Sequence, residues 1–266
     1  MTNERTKNEK HTEYKDELLS AERLYETTPY RWLWEEHNDR YHFVISGKGL
    51  NTFKKKILDC ACGAGYGSFI LSLQNEVTGI DLSEEAINYA KKRYVNNGLG
   101  FVLGTAEKLP FKNKSFDVIV SFETIEHLKN PGKFILEVKR VLKDNGTLIV
   151  STPNKSVFSP HLQKPLINDH IQEFHLQELL NLLSGFDIKI YGQHLVDKSI
   201  LDKNSKITSR KWIPRRIRGV LITLSNRNYY KTELKEISQD FHSRVPTVYI
   251  IVAKKFAHPR KLKEKM

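Results

Sequence analysis

The sequence predicts a doubly wound α/β fold, a mostly parallel sheet with helices on both faces. Three observations predict it. From residue 56 onward, short apolar runs alternate with amphipathic segments. Parallel strands need a crossover between them, and a helical crossover covers a face of the sheet. A glycine-rich turn, Gly63-Ala64-Gly65-Tyr66-Gly67, joins the first run to the first amphipathic segment. The second run, Val77-Thr78-Gly79-Ile80-Asp81, ends on an acid, where an open sheet of this kind meets its ligands.

The elements follow in order. Residues 1–17 are polar and mixed in charge, and read as a flexible N-terminus. Residues 18–52 carry a mostly helical pattern, broken at Pro29, with Leu18, Leu24, Trp32, Leu33, Tyr41, Phe43 and Val44 among its apolar positions. Strands are expected at Lys56–Ala61, Glu76–Ile80, Gly100–Leu103, Asp117–Ser121, Gly146–Ser151, Asp187–Gly192 and Thr247–Ala253. Helices are expected at Gly67–Leu73, Glu84–Asn96, Gly132–Leu142 and Leu176–Ser184. The main domain is taken as 18–256, with 18–52 as an N-terminal helical cap. A basic helical insertion over 193–246 separates the last two strands, and 257–266 is a basic tail.

Composition narrows the class. The 266 residues are 39% hydrophobic and 28% charged, ordinary for a globular chain with a core. No run approaches the ~20 apolar residues that span a bilayer, and the N-terminus lacks the apolar centre of a secretory signal. Cys60 and Cys62 are too close for a disulfide and have no Cys or His partners nearby in sequence. These features point to the cytoplasm. The net charge is +12, and residues 197–247 hold 12 Lys/Arg against 5 Asp/Glu. Residues 254–266 hold 6 against 1, so the basic excess sits in the last quarter.

The chemistry sits in the motifs. Gly63 and Gly65 permit close backbone approach, and free N–H groups at the helix start attract polar ligand atoms. The acid of Asp81 can accept hydrogen bonds from both hydroxyls of a ribose, and its charge excludes a phosphate. Ser83, followed by Glu84 and Glu85, reads as the next helix's N-cap, which leaves Asp81 for the ribose. The spacing Gly63-x-Gly65-x-Gly67 differs from the dinucleotide fingerprint, which argues against a nicotinamide enzyme.

Further on come Gly104-Thr105-Ala106-Glu107-Lys108-Leu109-Pro110-Phe111, then Ser115–Leu128 (SFDVIVSFETIEHL), then Val141–Asn154 (VLKDNGTLIVSTPN). With these in order over residues 37–193, the chain resembles class I S-adenosylmethionine-dependent methyltransferases of the bacterial small-molecule type. The resemblance implies a seven-stranded Rossmann-like sheet and S-adenosylmethionine as cofactor. Its last two strands would be antiparallel. Asp59, Ala61 and the turn at Gly63 and Gly65 would hold the methionine end. Asp81 would bind the ribose, with Leu82 beside the adenine. Ala106 would offer its N–H to the adenine, with Thr105 or Glu107 near the exocyclic amine. Ser121, Phe122 and Glu123 would line the floor near the sulfonium, and Arg40 and Tyr41 would close over it. Ala61 replaces the usual first glycine, which is tolerable if it stays strand-like. Thr105 replaces a common Asp.

Methyl transfer asks mainly for alignment and exclusion of water. A hydroxyl acceptor also needs a base, and His127 and His170 are the candidates. His127 follows the fourth strand, and His170 lies in His170-Ile171-Gln172-Glu173-Phe174, which resembles the family's region after strand five. Either could equally hold its loop. Glu123 and Glu126 could bind an amine or a divalent ion, but no dense carboxylate cluster is visible and no metal is expected. The expected acceptor is a small molecule or is carrier-linked, of glycan, natural-product or quinone type, methylated at oxygen or nitrogen. The basic last quarter supports three readings: an anionic partner such as RNA, peripheral membrane contact through Trp212–Leu224, or a cover over the acceptor pocket. The cover is favoured. RNA or protein methylation is the rival enzyme reading, and a non-catalytic nucleic-acid- or membrane-binding module the rival of another class.

Overall fold

The computed structural model describes residues 31–47, 50–167, 169–197, 203, 206, 207, 209, 234–237 and 244–256. The N-terminus 1–17, the Trp212–Leu224 segment and the basic tail lie outside the described residues.

Helix α1 (Arg31–Ile45) precedes strand β1 (Lys56–Cys60). Then come α2 (Tyr66–Ser72), β2 (Glu76–Asp81), α3 (Glu84–Arg93) and β3 (Leu99–Leu103). Strand β4 (Phe116–Phe122) runs into a 3-10 turn (Ile125–His127) and α4 (Pro131–Val141). β5 (Leu142–Pro153), the short α5 (Lys155–Phe158) and α6 (Leu176–Leu182) follow. β6 (Phe186–Asp197), β7 (Lys235–Glu236) and β8 (Arg244–Lys255) end the sheet.

The local rules for these boundaries are visible. Ser83 caps α3 by accepting from the Ala86 N–H, with Glu84 and Glu85 in the first turn and Lys91, Lys92 and Arg93 in the last, a charge order that suits the helix dipole. Asn130 caps α4 in the same way, with Pro131 at its start.

The sheet order is β3-β2-β1-β4-β5-β8-β6-β7. β1 to β5 pair in parallel, and β8 is antiparallel to both β5 and β6. The expected antiparallel last pair is therefore present, with Ile188 opposite Ala253 and Gly192 opposite Tyr249. One strand was unexpected: the two-residue β7 on the outer edge of β6, too short to leave a sequence pattern. β6 and β8 also run past the expected ends, so the excursion between them spans 198–243 rather than 193–246.

Alternation along the strands divides the core in two. Ile57, Val77, Val118 and Val120 pack with Tyr41, Val44, Leu71 and Ile87 on one face. Leu58, Ile119, Leu148 and Ile251 pack with Phe134, Val138 and Leu179 on the other. A parallel strand buried on both faces has to be apolar at successive positions, and Ile57-Leu58 and Val118-Ile119-Val120 meet that demand. No described helix is long and apolar enough to cross a membrane.

Candidate active site

The chain leaves β1, crosses to β2 and β3, then returns to β4 on the other side of β1. That reversal opens a crevice at the carboxyl ends of β1 and β4. A cleft of about 470 Å³ lies there, within the ordinary range for small-molecule sites.

One end is built by the glycine turn. Ala61, Gly63 and Gly65 all take left-handed backbone, with φ of 60°, 52° and 88°. Ala61 is thus not strand-like, contrary to the expectation from sequence, because the turn already bends at that residue. A Cβ in this region costs about 1–2 kcal/mol. Gly65 is the N-cap of α2. A Cβ there would stand 2.6 Å from the Ala90 Cβ and 2.9 Å from the Phe101 ring. Gly67 is a glycine for another reason: a Cβ on it would stand 2.0 Å from Cζ of the Tyr41 ring, far inside van der Waals contact.

Asp81 lines the cleft but is not left unengaged by the cap at Ser83, as the sequence had suggested. One carboxylate oxygen accepts the Ser83 N–H at 2.8 Å and the other the Gly63 N–H at 2.8 Å. It fastens β2's end to the glycine turn, and each oxygen keeps a second lone pair for a ligand. Leu82 beside it is 75% exposed, a bare apolar surface at the lip.

Beneath the turn lies Asp59, fully buried and outside the cleft lining. Ser68 donates to it at 2.7 Å and the Tyr41 hydroxyl at 3.3 Å. Burial pushes its pKa up to about 7 against the lowering effect of those two donors. The Tyr41 ring packs edge-on against Tyr66 and Phe122, with centroids 5.6 and 5.0 Å away, and so roofs the acid.

Arg40 is buried in α1 at the centre of a polar cage. It donates to the Glu36 carboxylate at 2.7 Å and to Gln193 Oε1 at 2.6 Å, and it pairs with Glu123 at 3.1 Å. Gln193 in turn donates to the Glu36 carbonyl at 3.0 Å. Burial raises the Glu36 pKa, but the His194 hydrogen bond and the Arg40 charge outweigh it and hold the pKa near 2. Burial, helped by the Arg40 charge, lowers that of His37 to about 4.

The other end of the cleft carries His127 and His170, their rings 4.9 Å apart and nearly perpendicular. His127 Nδ1 meets the Asp169 carbonyl at 2.9 Å, and His170 Nδ1 meets the Glu173 carboxylate at 3.2 Å. Glu173 also accepts from the Ser159 hydroxyl. The Glu126 carbonyl accepts the N–H groups of Ile171 and Gln172, which ties the two histidine-bearing loops together. Glu126 itself is fully buried, with one oxygen on the Thr152 hydroxyl at 3.0 Å. Burial, reinforced by the Glu123 charge, holds its pKa well above the usual carboxylate range.

Of the residues singled out from sequence, the cleft is lined by Arg40, Tyr41, Ala61, Gly63, Asp81, Leu82, Thr105, Ala106, Phe122, Glu123, His127 and His170. Asp59, Gly65, Glu107 and Ser121 stand behind it. Glu107 accepts the Asn130 N–H at the start of α4. Ser121 is one strand position from Phe122, so its side chain takes the opposite face, and its hydroxyl has no hydrogen-bond partner among the described residues. Sequence reasoning missed Glu36, His37 and Gln193. The pair Glu36-x-x-x-Arg40 was a readable i,i+4 signal, while Gln193 was not, lying 153 residues from Arg40.

This arrangement defines a class: an open α/β protein with a ligand cleft at its switch point. Its donor set selects among ligands. Arg40 is already matched by Glu36 and Glu123, so a dinucleotide's phosphates would meet no uncommitted Arg or Lys in the described lining, while a ribose and a sulfonium would meet carboxylates.

Comparison with known proteins narrows the class. Residues 58–150 match the family described as a methyltransferase domain. A probable S-adenosylmethionine-dependent methyltransferase of Mycolicibacterium smegmatis is 36% identical over 138 residues, 51% of this chain and 53% of that protein. A fatty-acid O-methyltransferase of the same organism is 28% identical over 164 residues, 60% of this chain and 58% of that protein. The solved YcgJ protein of Bacillus subtilis shares the fold, with a TM-score of 0.57 at 21% identity, over 83% of this chain and 99% of that one. Residues 58–150 are therefore similar to S-adenosylmethionine-dependent methyltransferases in sequence, and the sheet shares their Rossmann-like fold. The chain spans a little over half the length of the first curated relatives that it matches.

Proposed function

We propose that the protein transfers a methyl group from S-adenosylmethionine to a hydroxyl oxygen of a small-molecule or carrier-linked acceptor. The observation that supports this best is the pairing of His170 with Glu173 at the cleft end opposite the glycine turn. A carboxylate behind an imidazole orients the ring and fixes which nitrogen faces outward. An amine acceptor would depend less on such a base.

The cofactor supplies a methyl on a sulfonium, already a strong electrophile. The chain's own residues do the rest. Asp81 accepts from the ribose hydroxyls, Leu82 and Ala106 flank the adenine, and the turn at Ala61 and Gly63 holds the methionine end. Glu123 puts negative charge near the sulfonium, and Asp59 braces the turn from below through Ser68 and Tyr41. Arg40 holds Glu123 in place, and Tyr41 and Phe122 keep water out. His170 takes the hydroxyl proton at Nε2, with His127 beside it.

The acceptor end is lined by Leu128, Phe158, Ile167 and Val248, which suits an acceptor with an apolar part. The fatty-acid methyltransferase relative supports the same direction. The sequence between β6 and β8 is proposed as a cover over this end. Free, buried Cys60 and Cys62 support a reducing, cytoplasmic setting.

The test is a calorimetric titration with S-adenosylhomocysteine and with NAD, followed by transfer of labelled methyl to hydroxylated and aminated acceptor pools. Binding of the sulfur compound alone and label on hydroxyls are expected. No affinity for S-adenosylhomocysteine would refute the methyl-transfer reading, and label only on amines would refute the choice of oxygen.

A further inference from the structure

We propose that Glu126, His127 and His170 form a binding site for a divalent first-row transition ion, with the two histidines at the acceptor end of the cleft and Glu126 buried beside them. One donor atom from each of the three lies within 4.8 Å of the other two, close enough for a single ion to gather them. Two imidazoles and a carboxylate suit manganese, iron, cobalt or zinc better than the all-oxygen shells of magnesium or calcium.

The tautomers are fixed in the sense that a ligand set needs. The Asp169 carbonyl can only accept, so His127 Nδ1 carries its proton and donates there. His170 Nδ1 does the same toward the Glu173 carboxylate. Nε2 is then the nitrogen of each ring that is left to meet an ion. Histidines that hold metals are commonly oriented by this kind of outer partner, a carbonyl on one and a carboxylate on the other.

Glu126 gives an independent observation. Its side chain is fully buried, one oxygen is held by Thr152, and the other, Oε1, has no hydrogen-bond partner among the described residues. A buried carboxylate oxygen without a partner is costly, and a cation shared with two imidazoles removes that cost. The wider charge balance favours it too, since Arg40 is set against two carboxylates, Glu36 and Glu123. The backbone bonds from Ile171 and Gln172 to the Glu126 carbonyl hold the three ligands together before any ion arrives.

The role of the ion rests on the methyl-transfer reading, though the site itself does not. Three protein ligands leave positions open for an acceptor oxygen. An imidazole nitrogen cannot both hold an ion and take a proton. In the occupied state the ion lowers the pKa of the bound hydroxyl, its O–H bond breaks, and the proton passes to water rather than to His170.

The experiment titrates the chelator-treated full chain with Co²⁺ by calorimetry and visible absorption, with Mg²⁺ in parallel. One equivalent of Co²⁺ is expected to bind, far more tightly than Mg²⁺. His127→Ala, His170→Ala and Glu126→Gln should each weaken it at least tenfold while S-adenosylhomocysteine affinity stays within about twofold, which certifies the fold. Glu173→Gln, which touches only the outer nitrogen of His170, should weaken it about 10–100-fold. Absence of stoichiometric Co²⁺ uptake, or uptake unchanged in the His127→Ala/His170→Ala double variant, overturns the site. Binding of S-adenosylhomocysteine is read separately and judges the methyl-transfer reading alone.

Discussion

Gly67→Ala is a one-carbon change with a large expected effect. The new Cβ would clash with the Tyr41 ring, and Gly67 is itself buried in α2, so the backbone has little room to yield. Tyr41 must leave its place. It then gives up its edge contacts with Tyr66 and Phe122 and its hydrogen bond to buried Asp59. Overpacking of this kind costs about 1–3 kcal/mol, and a lost buried hydrogen bond about 1 kcal/mol more. Taking about 3 kcal/mol, Tm should fall by roughly 6–12 °C for a chain of this size. Affinity for S-adenosylhomocysteine should fall too, since Tyr41 lines the cleft. The decisive assay is a double-mutant cycle by differential scanning calorimetry. In a Tyr41→Ala background the clash is gone, so Gly67→Ala should cost less than about 1 kcal/mol. Equal costs in both backgrounds would show that the reasoning is wrong.

Four further outcomes are expected. Asp81→Ala should weaken S-adenosylhomocysteine binding at least tenfold in a calorimetric titration, through both the lost ribose acceptor and the loosened Gly63 turn; unchanged affinity would remove Asp81 from the site. His170→Ala should lower turnover on a hydroxyl acceptor about a hundredfold with cofactor affinity kept, and near-normal turnover would assign the ring to loop structure. Ala61→Gly should raise stability by about 0.5–1 kcal/mol, as left-handed strain is relieved against the greater freedom of glycine when unfolded; urea unfolding reads it, and a destabilised variant counts against it. Glu36, whose pKa folding depresses from 4.5 to about 2, contributes about 3 kcal/mol that is present above pH 4.5 and lost as pH falls toward 2. Glu36→Gln should therefore destabilise at pH 7, with the gap to the parent chain narrowing below pH 4.5; a gap that holds constant with pH would contradict the assignment.

The parts legible in the sequence are those set by local periodicity. Successive apolar residues at Ile57-Leu58 and Val118-Ile119-Val120 marked strands buried on both faces, and Ser83-Glu84-Glu85 marked a helix start. That the first five strands run parallel followed from the alternation of apolar runs with amphipathic segments, while their order did not. The antiparallel pairing of β8 with β6 came from the family resemblance, because an antiparallel strand has no local signature, and the placement of β8 against β5 was not foreseen. What escaped detection depends on pairs far apart in sequence. Arg40 meets Gln193, and Tyr41 sits on Gly67. The left-handed Ala61 escaped for a different reason: a residue other than glycine gives no sign of positive φ.

The place of β8 bears on how the chain reaches its native state. β8 is late in sequence but interior in the sheet, with hydrogen bonds to β5 on one side and β6 on the other. Until it is inserted, β5 ends the parallel half with an open edge, and β6 has only the two-residue β7 beside it. During synthesis the first five strands can assemble early, as all of them are made by residue 153, whereas the last join has to wait for residues 244–255. At about 5–20 residues per second, that leaves an unpaired apolar edge, Leu148-Ile149-Val150, exposed for several seconds, a hazard for misassociation. Ribosome-stalled chains ending before 244 should therefore be protease-sensitive and chaperone-bound, and those extended well past 255 should not.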